Sequence, residues 1–225
     1  MKKKGNISIK AKLLGIIIPV VIAIILILVF TAYHVSSGII ESYSKNLLES
    51  SVNSQASKIE AWLEENLASM QMAKTMIEKL HPDEAQLQTI LDASCGYSEN
   101  YPDGLFLADA NGSFLKGTDS KKQEPNPNES MWYQEGMTRV NMAVGSAHQN
   151  PDGTNVVSAS GLLNDGSDTV RVIAADMTLD RISVIVNSFI EMHDAEAFLV
   201  DKDSSVILAS RDSDLISKTL GADSR

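Results

Sequence analysis

The chain has 225 residues, 44% of them hydrophobic and 5% aromatic, with a net charge of −10, which allows one large domain or two small ones. Lys2, Lys3, Lys4, Lys10 and Lys12 all precede Leu13 while the first acid is Glu41, so taking those five positive charges from the net −10 leaves −15 beyond them. That polyanionic bulk excludes nucleic-acid binding by phosphate neutralisation. The single cysteine, Cys95, excludes an internal disulfide and reads as a buried thiol, and four scattered histidines give no zinc-like ligand spacing.

Residues 13–32 are an uncharged apolar run interrupted by Gly15, Pro19 and Thr31. About 20 residues at 1.5 Å each match a hydrocarbon core of about 30 Å. Backbone in lipid must satisfy its own hydrogen bonds, so residues 13–33 are expected to form a transmembrane helix with a mild kink near Pro19. The basic residues 1–12 then stay cytoplasmic and the bulk lies outside. A cleaved signal peptide competes with this reading, but the apolar core is long and no Ala-x-Ala site follows it.

Residues 36–80 have helical periodicity: Leu48, Val52, Ala56, Ile59, Leu63, Met70, Ala73, Ile77 and Leu80 recur at three- and four-residue steps, with Asn66 in one slot. That stripe is compatible with a coiled-coil seam, and the expected long stalk helix both covers its own domain and pairs with a second chain. His81-Pro82-Asp83 stops it, and a second helix follows to about Ser94. The period then changes. Residues 105–108 and 113–116 read as strands around an Asn111-Gly112 turn, and 119–127 as a polar, proline-bearing loop. Residues 129–139 read as a short helix carrying Trp132 and Tyr133. Strands over 140–147, 154–163 and 169–176 are joined by turns at Asn150-Pro-Asp-Gly153 and Asn164-Asp-Gly166. Turn-joined strands predict an antiparallel sheet. Residues 179–190 form an amphipathic helix, and 197–200 with 205–209 form another hairpin.

In this order the chain resembles the double Cache extracytoplasmic sensor domains of bacterial chemoreceptors and sensor kinases. The resemblance rests on the anchor and stalk, the Trp132-Tyr133 helix, the segment Ala175-Asp176-Met-Thr-Leu-Asp-Arg-Ile182, and the second module starting at Phe198-Leu-Val-Asp. It implies an α+β fold with two PAS-like modules. The membrane-distal, ligand-binding module would cover residues 83–176, and the start of an incomplete membrane-proximal one residues 177–225. It also implies a second membrane helix and a cytoplasmic output, which this sequence does not contain, so the chain reads as a fragment or truncated product. The expected function is extracytoplasmic sensing of an amine or amino-acid-like small molecule by a chemoreceptor, or by a histidine kinase or nucleotide cyclase. No cofactor is expected, and a homodimer through the stalk is.

Amino-acid-binding members carry Arg-x-Trp-Tyr, then Tyr-x-Asp, then an Asp ending a later strand. Trp132, Tyr133 and Asp176 match, His148 and Asn150 stand for Tyr-x-Asp, and Ser130 replaces the arginine. Serine cannot supply arginine's bidentate fork to a carboxylate, so the expected ligand carries an amine and lacks an essential α-carboxylate. The structural alternatives are that Trp132 and Tyr133 are core and rim, that Asp176 caps the next helix, and that His148 is a solvated loop residue. The sequence shows no Gly-x-Ser-x-Gly, His-Glu-x-x-His or phosphate loop, so an enzyme is not expected. A pilin-like anchored subunit is a weaker alternative.

Overall fold

The structure, a computed structural model, describes residues 9–188, 198–200, 206–210, 212, 215–216 and 218–219. It divides into two compact units, Met1–Ser54 and Gln55–Arg225.

Helix α1 (Ile9–Leu80) is continuous where a membrane helix and a separate stalk were expected. The helix runs through Ser36-Ser37-Gly38, since no proline follows there to end it. Within the first unit, the side chains of residues 13–50 are all exposed. They include Leu14, Ile17, Val21, Ile25, Leu28 and Phe30, on a helix long and apolar enough to cross a membrane. Thr31 returns its hydroxyl to the carbonyls of Ile27 (2.9 Å) and Leu28 (3.0 Å), which satisfies it within the helix itself.

In the second unit, the periodic stripe of α1 turns toward the unit's own core. Met70 and Ile77 are fully buried, with Ile59, Leu63 and Ala73 packed beside them, whereas Leu80 remains exposed. Asn66 is buried because its carbonyl oxygen accepts from Asn100 Nδ2 at 3.0 Å while its own amide donates to the Trp62 carbonyl. The helix stops where His81 takes φ 45°, with its N–H on the Ile77 carbonyl. Asp83 then opens α2 (Glu84–Ser94) through a capping box with Gln86.

Five strands follow: β1 (Phe106–Asp109), β2 (Phe114–Lys116), β3 (Ala143–Gln149), β4 (Asn155–Leu163) and β5 (Arg171–Thr178). They form an antiparallel sheet in the order β2-β1-β5-β4-β3. Gly112, Gly153 and Gly166 take φ between 81° and 89° at the three predicted turns. β3 starts later than expected because residues 139–142 serve other partners: the Arg139 carbonyl accepts from Leu162 N–H, and the Met142 N–H donates to Gln71. β5 continues past its expected end at Asp176, since Met177 and Thr178 still pair with Val157 and Val156.

Alternation along β5 divides the unit into layers. Ile173, Ala175 and Met177 join the core shared with α1, α2 and α4 (Leu179–Ser188). Val172 and Ala174 face the other way, with Phe106 and Ala108, under Trp132 and Tyr133. The expected 129–139 helix is a 3-10 turn (Pro127–Glu129) followed by α3 (Met131–Gly136), because Ser130 between them is extended at φ −70°, ψ 148°. Gly136 lets α3 lie against the sheet: a Cβ there would be 2.3 Å from Val172 Cγ1. On α4, Leu179, Ile182 and Val186 are buried as the amphipathic pattern predicts, while residues 189–190 lie outside the described residues. β6 (Leu199–Val200) pairs with β7 (Ile207–Ala209) antiparallel; the expected turn at 201–204 lies outside the described residues.

Candidate functional site

The face of the sheet under α3 carries one buried polar cluster. Asp176 on β5 stands opposite Ser158 on β4, and the Ser158 hydroxyl donates to Asp176 Oδ1. Asn150, at the head of the β3–β4 turn, donates its amide to Asp176 Oδ2 at 2.9 Å. The same oxygen accepts from Lys122 Nζ at 2.6 Å, and Lys122 also donates to Asn150 Oδ1 at 2.7 Å. The side chains of Lys122 and Asp176 are 2% and 5% exposed, so this pair is withdrawn from water. Burial of two charges is sustained only when both are paired and hydrogen-bonded. Glu124 Oε2 lies 3.7 Å from the ammonium and the Phe106 ring centroid 4.8 Å from it. A carboxylate, a second carboxylate, an amide oxygen and an aromatic face thus surround one cation.

The β2–α3 connection that carries Lys122 is firmly tied. Lys116 Nζ donates to the carbonyls of Ser120 (2.8 Å) and Lys122 (2.7 Å), and Lys121 N–H donates to Asp103 at 2.6 Å. Thr118 N–H donates to Asp92, and this bond, followed by one from Gln88, holds that carboxyl below its usual range. A cavity of about 40 Å³ lies beside the cluster, lined by Pro102, Asp103, Lys122, Asn150, Asp152 and Asp176 among others. It has room for roughly one water, whose share of liquid volume is about 30 Å³. Asp152 is held low in pKa, first by a hydrogen bond from Thr154 N–H and in smaller part by Lys122.

Of the five residues singled out from sequence, the structure brings Asn150 and Asp176 into direct contact. His148 stands one residue further out, its Nε2 3.4 Å from the Ser158 hydroxyl. Trp132 and Tyr133 do not line the cavity. Trp132 is 0% exposed and packs edge-on against Phe106 (5.0 Å, 84°) and Tyr133 (5.8 Å, 82°). Its indole N–H donates to Glu124 at 3.1 Å, so it touches the surroundings of Lys122 through that acid and through Phe106. Burial, then the nearby Asp109, pushes the Tyr133 phenol up in pKa. Asp176 does not cap α4: Thr178 Oγ1 accepts the Arg181 N–H there. The Ser130 hydroxyl is spent on the Pro127 carbonyl. Arg139 is engaged by Glu135 and the Ala143 carbonyl, and Arg171 by Asp165, so neither arginine reaches Asp176.

Lys122 and Ser158 were missed from sequence. A lysine in a polar loop reads as solvated, and its acid lies 54 residues away. Ser158 was visible only as an alternate position on a strand, and its in-register partner was not. Among the described residues no three acidic, imidazole or thiol groups converge as metal ligands.

No protein-family model matches the chain. A curated relative, the methyl-accepting chemotaxis protein McpG of Pseudomonas putida, is 27% identical over 154 residues, covering 67% of this chain and 24% of the relative. The chain therefore spans about a quarter of that relative's length. The ligand-binding domain of the Pseudomonas aeruginosa amino acid chemoreceptor PctC, solved with GABA, superposes with a TM-score of 0.66 at 26% identity, over 78% of this chain and 80% of that one. The ligand-binding domain of the Pseudomonas fluorescens chemoreceptor CtaA, solved with L-isoleucine, shares the fold at a TM-score of 0.61 and 21% identity, over 75% and 68%.

Proposed function

We propose that this chain, which has the Cache-type sensor fold of chemoreceptor ligand-binding domains, is the extracytoplasmic sensing region of a membrane receptor. The observation that carries the reading is the buried polar cluster of Asp176, Ser158, Asn150 and Lys122 on the sheet face under α3. A polar group is retained in such a place only if each partner is satisfied, and here the ammonium of Lys122 bonds Asp176 and Asn150 as the amine of a small polar molecule would. The ligand class is amino-acid-like and carries an amine. PctC bound to GABA, an amine separated from its carboxylate by three carbons, is the relative that supports this most directly.

In the same reading, the apolar surface of residues 13–33 anchors the chain in the cytoplasmic membrane with the sensor outside. α1 joins two copies into a homodimer, and the domain binds without chemical turnover. Residues 83–176 form the ligand-binding module and residues 177–225 begin a second. Ligand binding shifts the receptor between two conformations in proportion to its differential affinity for them. Titration calorimetry of the full chain in lipid nanodiscs with GABA and a set of L-amino acids tests the proposal. Saturable heat that disappears in Asp176→Ala supports it. No binding by any of these compounds, or binding unchanged in Asp176→Ala, refutes it.

A further inference from the structure

The room beside Asp176 is already taken. About 40 Å³ of free volume is left there, too little for an amino acid, and the ammonium of Lys122 is bonded to Asp176 and Asn150. We infer that Lys122 is a specificity-determining residue, a tethered occupant of the cation position. A small molecule reaches Asp176 only by bringing its own primary ammonium in exchange for that of Lys122. This rests on the sensor reading and adds the rule by which the site admits a ligand.

Four observations favour exchange over a second role in which Lys122 would clamp a ligand carboxylate. First, the groups around the ammonium have the polarity of a cation cage: Asp176 at 2.6 Å, Asn150 Oδ1 at 2.7 Å, Glu124 at 3.7 Å and the Phe106 ring at 4.8 Å. Two carboxylates against one ammonium leave the cage net negative, which repels an anion. Second, two of the three N–H bonds of Lys122 are committed to Asp176 and Asn150. Third, the backbone of the connection is fixed by Lys116 and Asp103, so exchange needs only the side chain to turn about its own flexible bonds. Fourth, the displaced ammonium has somewhere to go, because Asp103 and Asp152 line the same cavity. It would trade one carboxylate for another. Because a primary ammonium is replaced by a primary ammonium, the cage loses no hydrogen bond in the exchange. A neutral or anionic molecule entering the same place would leave Asp176 buried without its counter-charge, which carries a desolvation penalty.

The experiment uses three four-carbon probes on the full chain in nanodiscs: n-butylamine, butyrate and GABA. In the chain as it stands, n-butylamine binds weakly because it competes with a tethered equivalent. In Lys122→Met, which keeps an unbranched apolar arm and removes the charge, n-butylamine affinity rises at least tenfold, and the probe raises the unfolding temperature of this variant more than that of the parent. Butyrate binds neither. Lys122→Gln, whose amide can still bond Asp176 and Asn150, serves should Lys122→Met not fold, and it shows a smaller gain of the same sign. Unchanged n-butylamine affinity in the variant that folds overturns the assignment of Lys122. If binding of GABA still depends on Asp176 in that case, the sensor reading stands. Butyrate binding by the parent that is lost in Lys122→Met also overturns the exchange, because Lys122 would then be an anion clamp.

Discussion

Trp132 offers the sharpest separation between a residue that holds the fold and one that holds a ligand. It is fully buried, sits edge-on to two rings and donates its indole N–H to Glu124. Trp132→Ala removes all of this and leaves a cavity between α3 and the sheet, with an expected loss of about 3–5 kcal/mol. For a domain of this size each kcal/mol lowers the unfolding midpoint by about 2–4 °C, so a fall of about 6–20 °C is expected. Trp132→Phe keeps the ring contacts and loses the bond to the carboxylate, a change of about 1.5–3 kcal/mol. Because Trp132 does not line the cavity, the affinity of Trp132→Phe for GABA should stay within about tenfold, 1.4 kcal/mol, of the parent. Thermal unfolding by circular dichroism, paired with calorimetry on the same nanodisc samples, measures both quantities. A Trp132→Phe protein with an unchanged midpoint and abolished GABA binding would make Trp132 a ligand contact and refute the argument.

Gly136→Ala places a methyl 2.3 Å from Val172 Cγ1 and should cost about 1–3 kcal/mol as α3 is pushed off the sheet, seen as a lower midpoint in urea. Ile77→Ala, at a position with 0% exposure between α1 and the sheet, should cost about 2–5 kcal/mol; a midpoint shift below the equivalent of 1 kcal/mol would mean that this part of α1 does not pack as described. At Asp165, burial works to raise the carboxyl pKa, but hydrogen bonds from Ser167 and the Arg171 guanidinium outweigh it and hold it below its ordinary value. The stability this contributes is fully present above the unfolded carboxylate value, about 3.9, and is lost as pH falls through the lower folded value. Asp165→Asn should therefore show a shallower loss of stability than the parent on acidification from pH 5 to pH 2, and parallel acid limbs would contradict the assignment.

The sheet was legible because its turns are chemical: Asn111-Gly112, Asn150 to Gly153 and Asn164 to Gly166 each place a glycine at positive φ. What the turns could not convey is that β1 lies beside β5, a pairing that brings Phe106 opposite Ala174 across 68 residues without a local signal. The helical stripe from Ile59 to Ile77 was read correctly as apolar, yet periodicity alone does not say whether it meets its own sheet or another chain. Met70 and Ile77 are buried in their own unit. Part of the polar cluster was visible in the sequence. Asp176 and Asn150 are polar residues at strand and turn positions, and they do meet. Trp132 and Tyr133 lie beside that cluster in a small aromatic core with Phe106 and Phe114. Lys122 had no signal at all, because burial of a lysine is decided by the distant acids that receive it.

The alternation along β5 has a consequence for how such a chain can change over generations. Positions 172, 174 and 176 face α3 and the polar cluster, while 173, 175 and 177 face the helices. Substitution at 176 alters the polar cluster and at 172 or 174 the support of α3, whereas substitution at 173, 175 or 177 alters the packing on the helices. Because successive side chains point to opposite faces, the two sets touch different neighbours and drift independently. One face can therefore change while the packing of the other is kept. An insertion of one residue in β5 does the reverse, moving both sets at once to the wrong side.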